Sequence, residues 1–163
     1  MAFEDTLFAR YPDQVRETLK YRFLNAIPHN DTLGITFVDA EPGSATLRLP
    51  YRDALVGNPD NGVIHGGVIT SLIDSVSGLA VFCSLPDFET IATLDLRIDY
   101  MKPARPGRDL FARADCYKRT RQIAFVRALA YQDSPENPVA SSVSSFMRGA
   151  SRHTTIFRKD KAS

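Results

Sequence analysis

The chain has 163 residues, 44% of them hydrophobic and 24% charged, and its 20 Lys and Arg nearly cancel 19 Asp and Glu. That length holds one domain with a proper core and is short for two, and the proportions are those of a globular chain rather than a fibre or a disordered segment. The near-neutral balance argues against a broad nucleic-acid or membrane footprint, so any basic site must be local.

Cys83 and Cys116 fit neither a disulfide framework nor a metal spacing, and two thiols in a chain this size suit a reducing cytosol; the expected location is cytoplasmic. The three histidines, His29, His65 and His153, lie far apart, and neither HExxH nor CxxC occurs, so no metal is expected. The N-terminus MAFEDTLFARYPD carries early acids and lacks the long apolar run of a signal peptide. No stretch approaches the roughly 18 uninterrupted apolar residues of a membrane span.

Residues 13–27 place Val15, Leu19 and Phe23 four apart among charged residues, after a Pro12-Asp13 start, and predict an amphipathic N-terminal helix. TLGITFVDAEPGSATLRLPY holds two short β-like runs about a Glu-Pro-Gly turn, which reads as a hairpin. Residues 51–65 are crowded with Gly, Asn, Asp and Pro and read as a loop that leads into a helix. From Gly66 to Leu85 there is no proline, and Val68, Leu72, Val76, Leu79 and Cys83 recur at helical spacing. After Pro86 a long strand alternates Leu94, Leu96, Ile98 and Tyr100 against Asp95, Arg97 and Asp99. Further strands are predicted at about 109–118, 122–132 and 138–148, with a turn at DSPENP. The pattern is α+β: a long central helix needs covering, and an antiparallel sheet curling round it would do so.

Asp74 is the only side chain charged at neutral pH between Gly66 and Pro86. Ser71, Ser75 and Gly78 give it a narrow polar or small-residue stripe. It lies eight residues past Gly66 and seven past Gly67, about 11 to 12 Å along a helix axis. The double glycine after His65 lets a ligand approach the backbone closely, and the open amides of a helix N-terminus attract a carbonyl oxygen gaining negative charge. That is an oxyanion-hole design. Taken singly, each feature has a plainer reading: a surface carboxylate, a capping histidine, glycines set by backbone geometry.

The full string narrows the choice. HGGVITSLIDSVSGLA, preceded by NPDNGVI and followed by TLDLRIDYMKPARPG, resembles the PaaI-like (phenylacetic acid degradation type) acyl-CoA thioesterases of the hotdog fold. The resemblance covers roughly residues 30–148. It implies a hotdog domain over 30–150, with five to six antiparallel strands wrapped round the central helix, an N-terminal helical extension over 1–29 and a polar tail over 151–163.

For the site, the resemblance implies that the Gly66 amide polarises the thioester carbonyl and that Asp74 attacks it or activates the attacking water, with His65 beside them. Thr93 matches the Ser or Thr that positions the water. Strand alternation sets Thr93 opposite Leu94, so its reach to Asp74 needs a neighbouring subunit or a local bend. The family often has an asparagine six residues before the histidine; here that position is Pro59, with Asn58 and Asn61 on either side, Asn58 preferred. Members are dimers or tetramers in which aspartate and glycine amide come from different subunits. CoA belongs to the substrate, so no separate cofactor is expected, and its phosphates call for Lys or Arg near the pocket mouth. The candidates are Lys118, Arg119 and Arg121 at one turn, with Arg121 matching the Gly-Arg of the family, and Lys102 with Arg105 after the long strand; Gly67 is expected to face substrate. The alternative is a hotdog domain that binds acyl-CoA without hydrolysing it.

Overall fold

The computed structural model describes residues 3–149, so the expected tail over 151–163 lies outside the described residues. After a short α1 (Leu7–Arg10) come α2 (Pro12–Leu19), a π-helical turn (Lys20–Asn25) and α3 (Pro28–Leu33). The single helix expected over 13–27 is thus two pieces of different winding. Buried Leu19 and Leu24 stand five apart, the spacing that a π turn places on one side. Ile27 is extended before Pro28, as a residue preceding proline tends to be, and the chain restarts as α3 with Pro28 in its first turn.

A hairpin follows, β1 (Thr36–Glu41) and β2 (Ser44–Leu49). The expected loop over 51–65 carries a 3-10 turn (Asp53–Leu55) and a small ribbon of β3 (Val56–Asn58) and β4 (Val63–Ile64). Next come α4 (Gly66–Ser84), β5 (Ile91–Tyr100), β6 (Leu110–Arg119), β7 (Ile123–Tyr131) and β8 (Ala140–Arg148). The main sheet has six strands in the order β1-β2-β6-β7-β8-β5, every neighbouring pair antiparallel.

The helix α4 lies against the inner face of β2, β6 and β7. Ala112, Ala114, Ala124, Val126, Ala128 and Ala130 face it, fully or almost fully buried, and their small side chains let the helix settle close to the sheet. Leu72, Ile73, Val76, Leu79, Ala80 and Val81 fill the space from the helix side. By length and composition α4 could cross a bilayer, but more than half of its apolar window is buried inside the fold.

β5 departs from the expected strand. It pairs only with β8 and forms one edge of the sheet. Leu96 and Ile98 are half-buried, whereas Leu94 and Tyr100 are 49% and 51% exposed and Met101 is 61% exposed. The register with β8 shifts between Thr93 and Asp95, so Leu94 is the extra residue of a bulge and the simple alternation breaks there.

Candidate active site

The start of α4 is held from two sides. His65 is its N-cap, and the imidazole Nδ1 accepts the Gly67 N–H at 2.9 Å. A Cβ on Gly67 would sit 3.0 Å from that Nδ1, which is the reason for glycine there. Gly67 faces the capping imidazole, and its amide is engaged by it. The Gly66 N–H is the amide left open at the helix start among the described residues. From β5, the Tyr100 hydroxyl donates to the Gly66 carbonyl at 2.8 Å and meets Thr70 Oγ1 at 2.7 Å. The sequence reading missed this tie, because it links two residues 34 apart and carries no local pattern.

Two turns along, half-buried Asp74 accepts a hydrogen bond from Thr93 Oγ1 at Oδ1, 2.9 Å away. The bond forms within one chain, so of the two routes open to Thr93 the structure takes the local bend: the β5 bulge turns Thr93 to the same side as Leu96, and both border one cavity with Asp74. The serines flanking Asp74 bind the N-terminal segment. Ser71 Oγ is 3.0 Å from His29 Nε2 and donates to the Gly67 carbonyl. Ser75 Oγ donates to Asn30 Oδ1 at 2.9 Å, and the buried Asn30 amide donates to the Phe23 carbonyl. α3 is therefore fastened to α4 on both sides of Asp74.

Asp74 opens onto a cavity of about 720 Å³ between α4, the edge of β5 and β8, and the segment from α2 to α3. Its apolar walls include Leu19, Phe23, Phe82, Phe88, Ile91 and Phe146. Phe23 and Phe82 meet edge to face with ring centroids 5.4 Å apart. Phe82 lines the cavity, whereas Leu55 is buried in the core and Met101 stands exposed after β5.

Asn58 and Asn61 both shape the ribbon turn: Asn58 Oδ1 accepts the Asp60 N–H and Asn61 Oδ1 the Val63 N–H. Neither bonds to Asp74 or to the Gly66 peptide. The basic candidates fall at opposite ends of β5. Lys102 bonds Asn137 and Arg105 pairs with Asp133 near its end. Lys118, Arg119 and Arg121 surround the β6–β7 turn, at the end of the sheet where β5 begins. Arg119 lies over the Phe3 ring, and its partial burial, then the nearby Arg148, hold its pKa below the usual guanidinium range. Among the described residues no cluster of three or more His, Cys, Asp or Glu is placed to hold a metal ion.

A six-stranded antiparallel sheet on one long helix, with a carboxylate on that helix at the mouth of an apolar cavity, defines a hotdog thioesterase arrangement. Residues 61–139 match the thioesterase superfamily and form a domain of that superfamily. It is 28% identical over 150 residues to the medium/long-chain acyl-CoA thioesterase YigI of Escherichia coli strain K12, covering 84% of this chain and 96% of that one. A Pseudomonas aeruginosa protein of known crystal structure is 50% identical, with a TM-score of 0.74 over 81% of this chain and 97% of its own. A mutant of the phenylacetic acid degradation protein PaaI from Thermus thermophilus superposes with a TM-score of 0.65 at 26% identity, over 74% and 98% of the two chains.

Proposed function

We propose that this chain hydrolyses acyl-CoA thioesters to free acid and CoA, with Asp74 as general base or nucleophile and the Gly66 amide as oxyanion donor. The observation that carries the reading is Asp74, oriented by Thr93 at the mouth of an apolar cavity. Thr93 occupies Oδ1 and leaves the other carboxylate oxygen to face a water or the thioester carbon. In either route the carbonyl oxygen gains negative charge as the new C–O bond forms, and an open helix-start amide stabilises it. The C–S bond then breaks, and CoA leaves as a thiolate that takes up a proton; where Asp74 is the nucleophile, the acyl group passes to its carboxylate as an anhydride, which a water hydrolyses to free acid and regenerated Asp74.

One chain cannot hold both parts. Gly66 and Asp74 lie about 12 Å apart along α4, too far to touch one carbonyl together. A second copy supplies the missing amide in this reading. The unpaired edge of β5, with Leu94, Tyr100 and Met101 exposed, supports strand pairing across a twofold axis. Antiparallel pairing centred between Leu96 and Arg97 would set Thr93 of one copy opposite Tyr100 of the other. Because Tyr100 holds Gly66, the donor amide would come with it. The same pairing would bring Lys102 of one copy towards Lys118, Arg119 and Arg121 of the other, a setting for CoA phosphates. Asn58 and Asn61 then act by shaping the turn before the glycines. A homodimer is the smallest complete unit, and a tetramer of such dimers keeps the same sites. The buried thiols of Cys83 and Cys116, both pushed up in pKa by burial, fit a reducing compartment such as the cytoplasm.

The name of YigI, a medium/long-chain acyl-CoA thioesterase, supports alkyl rather than small polar acyl groups, in keeping with the apolar walls. A panel of aryl, short, medium and long acyl-CoA substrates, followed by release of free thiol, tests the proposal. Turnover by the wild type and its collapse in Asp74→Ala are expected. Binding without turnover would instead mark an acyl-CoA-binding module, and full activity in Asp74→Ala would remove the carboxylate from the chemistry.

A further inference from the structure

The N-terminal segment is part of the cavity. Leu19 of α2, Phe23 of the π turn, and Ile27 and Asn30 before and within α3 all face it across from α4. The contacts His29 to Ser71 and Asn30 to Ser75 fix this segment on either side of Asp74, so the wall and the carboxylate are held by the same short stretch of α4.

On α4 itself the cavity follows one stripe. Asp74, Gly78 and Phe82 are spaced four residues apart, so they stack on one face, and all three line the cavity. Gly78 is the narrow point. A Cβ there would lie 3.3 Å from Phe23 Cζ, 3.6 Å from Ile91 Cδ1 and 3.8 Å from Phe146 Cε1, so even a methyl group there would crowd these three walls. Beyond it, the Phe23–Phe82 edge-to-face pair closes the way on one side.

We infer that residues 18–30 form the outer wall of an acyl-chain site, and that Gly78 and the Phe23–Phe82 pair set the length of chain it takes. The inference rests on the thioesterase reading above and adds to it the substrate class: straight saturated acyl groups of medium length. From Asp74 to Phe82 is about 12 Å along the axis, the reach of an extended chain of about eight to ten carbons. On α4 the lining past Asp74 and Ser75 is Gly78 and Phe82, neither of which offers a polar partner.

Chain-length profiles of kcat/KM test the inference, with saturated acyl-CoA of about 4 to 16 carbons as probes. The wild type should peak at eight to ten carbons. In Gly78→Ala the added methyl closes the passage, and the ratio of decanoyl-CoA to butyryl-CoA activity should fall about tenfold or more. In Phe82→Ala and, separately, Phe23→Ala, the ratio of tetradecanoyl-CoA to decanoyl-CoA activity should rise by a similar factor. Ratios cancel any loss of folded protein. Unmoved ratios in Gly78→Ala and Phe82→Ala overturn the tunnel, and an unmoved ratio in Phe23→Ala overturns the role of the N-terminal wall. If the wild type turned over no thioester, the hydrolase reading would fail alone: the same ratios would then be read from calorimetric binding of the thioethers S-butyl-, S-decyl- and S-tetradecyl-CoA.

Discussion

Thr93 Oγ1 donates to Asp74 Oδ1 over 2.9 Å, joining the edge strand β5 to the central helix α4 at the mouth of the cavity. The bond exists because the bulge at Leu94 turns Thr93 inward, so a strand feature with no catalytic chemistry of its own sets the direction of the carboxylate. Asp74→Asn should lower kcat by about 10² or more, the scale of a lost acid–base group. Thr93→Ala should lower kcat by about tenfold with KM little changed, since it removes an orienting bond from a group that stays in place. Thr93→Ser keeps the hydroxyl and should recover most of the rate. Steady-state kinetics on the three variants separate these outcomes; Thr93→Ala at wild-type kcat would remove the positioning role.

The His65 imidazole does for the Gly67 amide what Ser or Asn does at an ordinary helix start. His65→Ala should lower stability by about 1 kcal/mol, the usual worth of a helix cap. His65→Asn should restore much of that, because a short amide oxygen can reach the same N–H. A second loss is expected in kcat for His65→Ala, as the α4 start frays and the Gly66 amide loses its fixed direction. Thermal unfolding and kinetics on both variants check the pair. Recovery of stability without recovery of rate in His65→Asn would assign the imidazole a part in the chemistry beyond capping.

Much of this was legible in the chain because it is local. The period of Leu72, Val76 and Leu79 marks α4, the alternation after Ile123 marks β7, and His-Gly-Gly with Asp74 eight residues on marks the two parts of the proposed site. What escaped is what joins distant residues. The bulge at Leu94 obeys the register with β8, which no local pattern records, and so simple alternation misplaced Leu94. His29 and Asn30 lie in a stretch that read only as the end of an extension, yet they bond to the serines beside Asp74. Pro28 was the one available signal, since the residue before a proline resists the helical region and the chain had to break there.

Asp109 ties the loop before α4 to the sheet. Its Oδ1 accepts the Tyr51 N–H at 2.9 Å, its Oδ2 accepts from Arg48 Nε at 2.8 Å, and the Tyr51 hydroxyl donates to the Gly62 carbonyl. The Tyr51 N–H first, and Arg48 after it, hold this carboxyl below the ordinary carboxylate range. A depressed pKa stabilises the fold above the unfolded value of about 3.9, and that contribution fades as pH falls through the folded value. Asp109→Asn lacks it at every pH. The gap in melting temperature between wild type and variant should therefore be widest above about pH 5 and close as the pH falls past the unfolded value and through the lower folded one. It should be modest, because the ion pair is partly open to solvent. A gap that stays constant across that range would mean that shape, not charge, is what Asp109 supplies.

The two halves of the proposed site can be separated by mixing. Asp74→Ala removes the carboxylate. Gly66→Pro removes the donor N–H while leaving a residue that the first turn of a helix accepts, and the Tyr100 ring atoms near that position begin at 3.6 Å, an ordinary contact. Each variant alone should be inactive. If both groups acted from one chain, co-refolding the two would restore nothing, because every chain carries a defect. If the groups come from different copies, each mixed dimer has one site with both defects and one with neither. Random pairing makes about half the dimers mixed, so about a quarter of wild-type activity should return in a twofold assembly. The returned activity should follow the dimer fraction on size exclusion and be lost when Leu94→Glu on both chains sets like charges along the β5 edge. Inactivity of the mixture, with dimers present, would place the oxyanion donor elsewhere than Gly66.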